Sequence, residues 1–108
     1  MMRISVADDF TKFPGARYIS EGEFSGEKFR EEKLYPQYLK AVEKGEKLIV
    51  DLDGCYGFAT SFLEESFGGL VRKLKVKGIM KIITIISEED KSLVELINQY
   101  VEDAEKKL

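Results

Sequence analysis

The stretch Lys47 to Leu74, KLIVDLDGCYGFATSFLEESFGGLVRKL, constrains the fold more than any other. An apolar run through Leu48, Ile49 and Val50 ends in Asp51-Leu52-Asp53-Gly54, which reads as a strand delivering acids into a turn. A loop then crosses Cys55 to Ala59, and a helical pattern opens at Thr60 or Ser61. Apolar residues at 62, 63, 67, 70, 71 and 74 recur every three or four positions, the spacing of one buried helical stripe. Ser61 and Glu64 have capping-box spacing, a hydroxyl taking one free N–H and a carboxylate reaching back to another. Strand, loop and helix tip together bring polar groups to oriented N–H donors, where negative charge is favoured. Any functional site is expected there.

The rest of the chain places this unit in an α/β frame. Arg3 to Ala7 suits a short first strand, and Asp8 to Gly15 is turn-rich. Arg17 to Ile19 is expected to form a second short strand, paired with the first as a hairpin. Gly22, Ser25 and Gly26 mark a loop. From Ser25 to Lys44 the pattern is helical, with Phe29, Leu34, Tyr35, Tyr38, Leu39 and Val42 offering one face. Pro36 lacks a donor and crowds the preceding turn, so this helix should kink or restart there. Gly45 supplies the stop. Gly68-Gly69 inside the next helix costs on the order of 1 kcal/mol per glycine relative to alanine, which suits close approach by a neighbour. Met80 to Ile86, MKIITII, is the most β-branched run in the chain. Ser87, with Asp90 three residues on, can cap a last helix carrying Leu93, Ile97, Tyr100 and Ala104 along one face.

The order is therefore β-β-α-β-α-β-α. It implies right-handed crossovers and a small, mixed but mainly parallel sheet of about four strands, covered by helices on at least one face. The first two strands would supply an antiparallel edge. At 108 residues the chain is long enough for one core, so residues 1–108 are read as one domain.

Composition removes whole classes of chemistry. No histidine is present, which takes away the commonest general base, the Ser-His and Cys-His nucleophile pairs, and most zinc sites. Cys55 is the only cysteine, so no internal disulfide forms, and a reducing, cytoplasmic setting fits. A net charge of -3 argues against nucleic acid, and Arg72, Lys73, Lys75 and Lys77 read as a solvated helix end. No apolar run approaches membrane-spanning length, and no signal pattern opens the chain.

Two resemblances bear on function. Asp51-Leu52-Asp53-Gly54 at a strand end is similar to the opening motif of the haloacid-dehalogenase phosphatases. That resemblance implies an Mg²⁺-dependent phosphohydrolase with Asp51 as nucleophile and Asp53 beside it. In those enzymes the motif starts a much longer chain, and no downstream lysine motif or acidic pair completes the metal site here. The phosphohydrolase stands as the alternative.

The second covers more of the chain. Asp51 to Leu63, DLDGCYGFATSFL, resembles the core of STAS domains, named for sulphate transporters and anti-sigma factor antagonists. Their pattern is a strand, an acid-x-x-Gly turn, an apolar residue and Asp-Ser-Ser-Gly opening a helix. Closer still is the STAS-like family of unknown function, with its Ser-Gly-x-x-Phe-Arg element and Ser-Phe-Leu-x-Glu helix start. This sequence has Ser25-Gly26-Glu27-Lys28-Phe29-Arg30 and Ser61-Phe62-Leu63-Glu64-Glu65.

This resemblance implies a regulatory protein–protein interaction module. Its partner would be a kinase-like ATPase of the anti-sigma type, with neither nucleic acid nor membrane involved. Thr60 falls on the phosphorylated serine of STAS domains and is the candidate phosphoacceptor. Ala59 stands where those domains have aspartate, and Phe62 where they have glycine. A phosphate on Thr60 would add nearly two negative charges at a helix N-terminus, which the helix tolerates and an acidic partner would not. The candidate contact surface comprises Cys55, Tyr56, Gly57, Phe58, Ala59, Ser61 and Phe62. A second candidate surface, or small anion nest, involves Gly22, Ser25, Gly26 and Arg30. No residue is expected to be catalytic and no cofactor or resident metal is implied. A dimerisation domain without switching is a third option.

Overall fold

The structure, a computed structural model, describes residues 2–108. Among these residues the sheet has three strands, β1 (Met2–Ser5), β2 (Leu48–Asp51) and β3 (Ile83–Ile86), in the order β1-β2-β3 and parallel throughout. Strand order follows chain order, so the two crossover helices lie on the same face when both crossovers are right-handed. That face carries Ile4, Leu48, Val50 and Ile83, all 3% exposed or less. The other face presents Arg3 and Thr84 to solvent, with Ile49 and Asp51 half-buried.

The expected fourth strand and its antiparallel hairpin do not form. After Ser5 the chain turns at once into α1 (Val6–Asp9), because Ser5 caps that turn by accepting from the Asp8 N–H while its own N–H donates to Asp9. The first strand therefore ends two residues early. Arg17 and Tyr18 donate their backbone N–H groups to the Glu21 carboxylate, which folds Ile19–Glu21 into a 3₁₀ turn. A local side-chain acceptor outcompetes a ladder here. Only an isolated parallel bridge, Ala16 to Ser25, remains of any sheet-like pairing in this segment.

The first crossover helix, α2 (26–44), contains Gly26–Phe29, a wider π turn at Arg30–Leu34, and Tyr35–Lys44. Tyr35 donates to the Arg30 carbonyl, five residues back, and α-geometry restarts beside Pro36. Opening the turn places the proline among the first residues of the new segment, where a missing N–H costs little. Gly45 ends the helix at φ 66°. The second crossover helix, α3 (60–74), likewise has a π turn, Glu64–Gly68, between Thr60–Leu63 and Gly69–Leu74. The last helix, α4 (Ser92–Lys106), starts five residues after Ser87. Asp90 accepts from the Ser92 N–H, and the Ser87 hydroxyl donates to the Asp90 carbonyl.

One apolar cluster joins these layers. Phe62, Leu63, Phe67, Leu70 and Val71 of α3 are fully buried, as the stripe requires. Phe29 and Phe62 lie with ring centroids 5.7 Å apart, and Phe10 and Phe58 extend this aromatic centre toward the surface. Helices α2 and α3 approach closely at Gly26, where an added Cβ would run into the Phe62 carbonyl. Of the paired glycines only Gly69 faces α2, where a Cβ would meet the Arg30 guanidinium; one on Gly68 would meet the Glu64 carboxylate of its own helix. Among the described residues no helix is long and apolar enough to cross a membrane.

Candidate functional site

Ligands of open parallel sheets gather where the chain leaves the carboxyl ends of the strands. Here the loops after β2 and β3 meet at that edge, and their contacts follow from the acids that close the strand. Asp51 accepts from the Asp53 N–H at 2.9 Å and pairs with Arg3 on the neighbouring strand. Asp53 turns the other way, accepting from the N–H groups of Glu88 at 3.1 Å and Glu89 at 3.0 Å. Glu89 returns the tie by accepting from the Gly54 N–H at 2.8 Å. Both acids of the Asp-Leu-Asp motif thus hold the loops in place. Gly54, at φ 95°, makes the turn, and a Cβ there would sit 3.2 Å from that of Ala7.

The loop then runs along residues 11–14. Tyr56 donates its N–H to the Lys12 carbonyl at 2.8 Å, and the Cys55 thiol lies against the Thr11 carbonyl. Burial, with the charges of Glu89, Asp51 and Asp8 adding to it, pushes that thiol up to about 11, so it stays protonated at neutral pH. Tyr56 stacks on Phe13 with centroids 4.9 Å apart, and both rings are open to solvent, 79% and 64% exposed. Between the two loops lies an open cleft of about 370 Å³, with Leu52, Cys55, Phe58 and Leu93 as its apolar lining and Asp53, Glu89 and Asp90 as its acids.

Thr60 is the first residue of α3 and is exposed, and among the described residues its hydroxyl has no hydrogen-bond partner. Ser61 is half-buried, and the capping box does not form: Ala59 occupies the cap position. Glu64 is drawn instead to Arg17 and Arg72. Of the other residues read as contact surface, Gly57 is exposed and Cys55, Phe58 and Ala59 are half-buried. Phe62 belongs to the core, since the stripe that makes α3 amphipathic turns it inward.

The second candidate surface is not an open nest. Ser25 is fully buried and caps α2 by accepting from the Lys28 N–H, Gly26 is the contact point with α3, and Gly22 is half-buried. Arg30 lies between the helices, donating to the Glu65 carboxylate at 2.6 Å and to the Glu65 carbonyl at 3.0 Å. Arg17 and Arg72 join from either side, and Lys73 reaches Glu31. For Glu64, burial alone would raise the pKa, but hydrogen bonds from Arg72 and Arg17 outweigh it and hold the group below its usual range. Glu31 is lowered in the same way, burial being outweighed by Lys73 and Arg30. The ties that Arg17, Arg30 and Lys73 make in this network were not evident from sequence, because Arg17 lies 47 and 48 residues from Glu64 and Glu65, Arg30 lies 35 from Glu65, and Lys73 lies 42 from Glu31. Phe13 was missed as well, its position in a turn-rich segment giving no sign of the ring it meets.

A family model described as "STAS-like domain of unknown function (DUF4325)" matches residues 25–93, more than half of the chain. The chain belongs to this family. The STAS-like match spans α2 through the start of α4, and so includes both loops of the cleft and the tip of α3. Comparison with curated proteins and with solved structures gave no match.

Proposed function

We propose that this STAS-like domain is a regulatory module that binds another protein through the 55–61 loop and the tip of α3, and that Thr60 is its phosphoacceptor. The observation that carries this reading is the exposed hydroxyl of Thr60 at the first helical position, without a hydrogen-bond partner among the described residues, at the end of the loop whose Tyr56 ring stacks in the open on Phe13. A phosphate there adds up to two negative charges where the α3 backbone N–H groups favour them. It would also stand one helical turn from Glu64, to which Arg17 and Arg72 are already drawn. Modification would therefore alter a surface that partners can reach while leaving the core intact.

The STAS resemblance suggests a kinase-like ATPase of the anti-sigma type as partner. Binding rather than catalysis is supported by the commitments of Asp51 and Asp53, whose oxygens hold Arg3 and three backbone N–H groups. Co-purification from the native host, followed by calorimetry with the recovered partner, tests the proposal. Thr60→Glu should change partner affinity at least about tenfold without shifting the melting temperature by more than a few degrees. Affinity unchanged by both Thr60→Glu and Thr60→Ala would end the switch reading.

A further inference from the structure

The cleft beside the aromatic pair has a composition that selects its occupant. Its volume of about 370 Å³ lies near the lower end of the roughly 300–1,000 Å³ typical of small-molecule sites, which suits one or two side chains of a partner. The apolar lining continues inward, Phe58 packing on the buried Phe62 at 5.9 Å between centroids. Tyr56 is held by its own backbone bond to Lys12 and by Phe13, so this wall is ordered before a partner arrives. Pre-ordering lowers the cost of association, and exposed aromatic rings commonly anchor interfaces.

Charge decides what enters. Among the described residues, Asp53, Glu89 and Asp90 form no ion pair with a lysine or arginine. Their hydrogen bonds come from backbone N–H groups and Ser92, which orient the carboxylates without neutralising them. An acidic partner would be repelled, and a purely apolar one would bury these charges without compensation. A cation on an aliphatic stem meets both requirements: its methylenes lie on Leu52, Phe58 and Leu93 while its head faces the carboxylates. Arginine adds a planar group that can lie over the Tyr56 ring. We infer that the cleft is a docking site for an arginine-bearing segment of a partner protein. This rests on the reading of the 55–61 loop as a docking surface and adds the chemistry of the partner. It also gives the switch a sign: Thr60 follows the lining residue Phe58 by two positions, so negative charge at Thr60 strengthens attraction for a cationic segment.

The test is an NMR titration of the isotope-labelled full chain with a blocked Gly-Arg-Gly-Arg-Gly peptide and with its counterpart bearing glutamate for arginine. The arginine peptide should shift the amides of Leu52, Gly57 and Leu93, less so at high salt, and the glutamate peptide should not. Glu89→Gln and Asp90→Asn keep their hydrogen-bond acceptors and lose charge; each should weaken binding about two- to fivefold. Absence of shifts, equal response to the glutamate peptide, shifts confined to the outer surfaces of α2 and α3, or indifference to both substitutions would each overturn the inference. Failure of the switch is distinguishable, because it appears as indifference of the recovered partner to Thr60→Glu while the peptide titration is unaffected.

Discussion

Between α2 and α3, Glu64 and Glu65 lie beneath the guanidinium groups of Arg17, Arg30 and Arg72; around the cleft, Asp53, Glu89 and Asp90 face no cation among the described residues. The two groups contain the same chemistry and are compensated differently. In the first, Arg30 and Glu65 are 12% and 10% exposed, so each carboxylate and each guanidinium would be costly to leave alone. The ion pairs there accompany the close approach at Gly26 and fix how the helices meet. In the second, the acids are held by backbone N–H groups in open loops and keep their charge toward solvent. The internally neutralised cluster serves the fold. The uncompensated one is available to a partner.

Removing one member of the buried cluster should break this contrast most visibly. Glu65→Ala leaves Arg30 with Glu31 as its remaining carboxylate partner and should cost about 3 kcal/mol, read from urea unfolding. Gly26→Ala drives a methyl into the Phe62 carbonyl and should cost about 2 kcal/mol in the same assay.

Acid should reach the same cluster with no mutation. Glu31 and Glu64 have folded-state pKa values below the ordinary 4.5, so their contribution to stability is present above that value and is lost as pH falls through the lowered ones. A melting-temperature series from neutral pH downward should hold level to about pH 5 and then decline. The paired variants Glu31→Gln and Glu64→Gln should flatten that decline.

At the cleft, by contrast, Glu89→Gln with Asp90→Asn should change stability by no more than about 0.5 kcal/mol, because the acceptors remain and only exposed charge is lost. A cost as large as that of Glu65→Ala would abolish the distinction between the two clusters.

Much of the frame was legible because it is written in local periodicity. The apolar run at 48–50, the stripe from Phe62 to Val71 and the stop at Gly45 each depend on residues near in sequence, and each appears as expected. The N-terminal hairpin was misread because Arg17 to Ile19 has strand-like residues whose backbone is claimed by Glu21, a competition that propensity does not register. Glu64 looked like half of a capping box because Arg17, 47 residues away, could not be placed beside it from sequence. Phe62 shows how two signals on one residue resolve: it fell in both the candidate loop surface and the buried stripe, and burial took it. Exposure of Tyr56 and Thr60 could be anticipated from their place between strand and helix, whereas the cleft beside them needed the β3 loop brought near.

Hydrogen–deuterium exchange on the complex with the partner recovered from the native host tests the central claim most directly. The account predicts slowed exchange in 52–61 and 87–93, with the facing surfaces of α2 and α3 unchanged. Protection confined to residues 26–34 and 64–72, with the cleft loops exchanging as in the free protein, would contradict it.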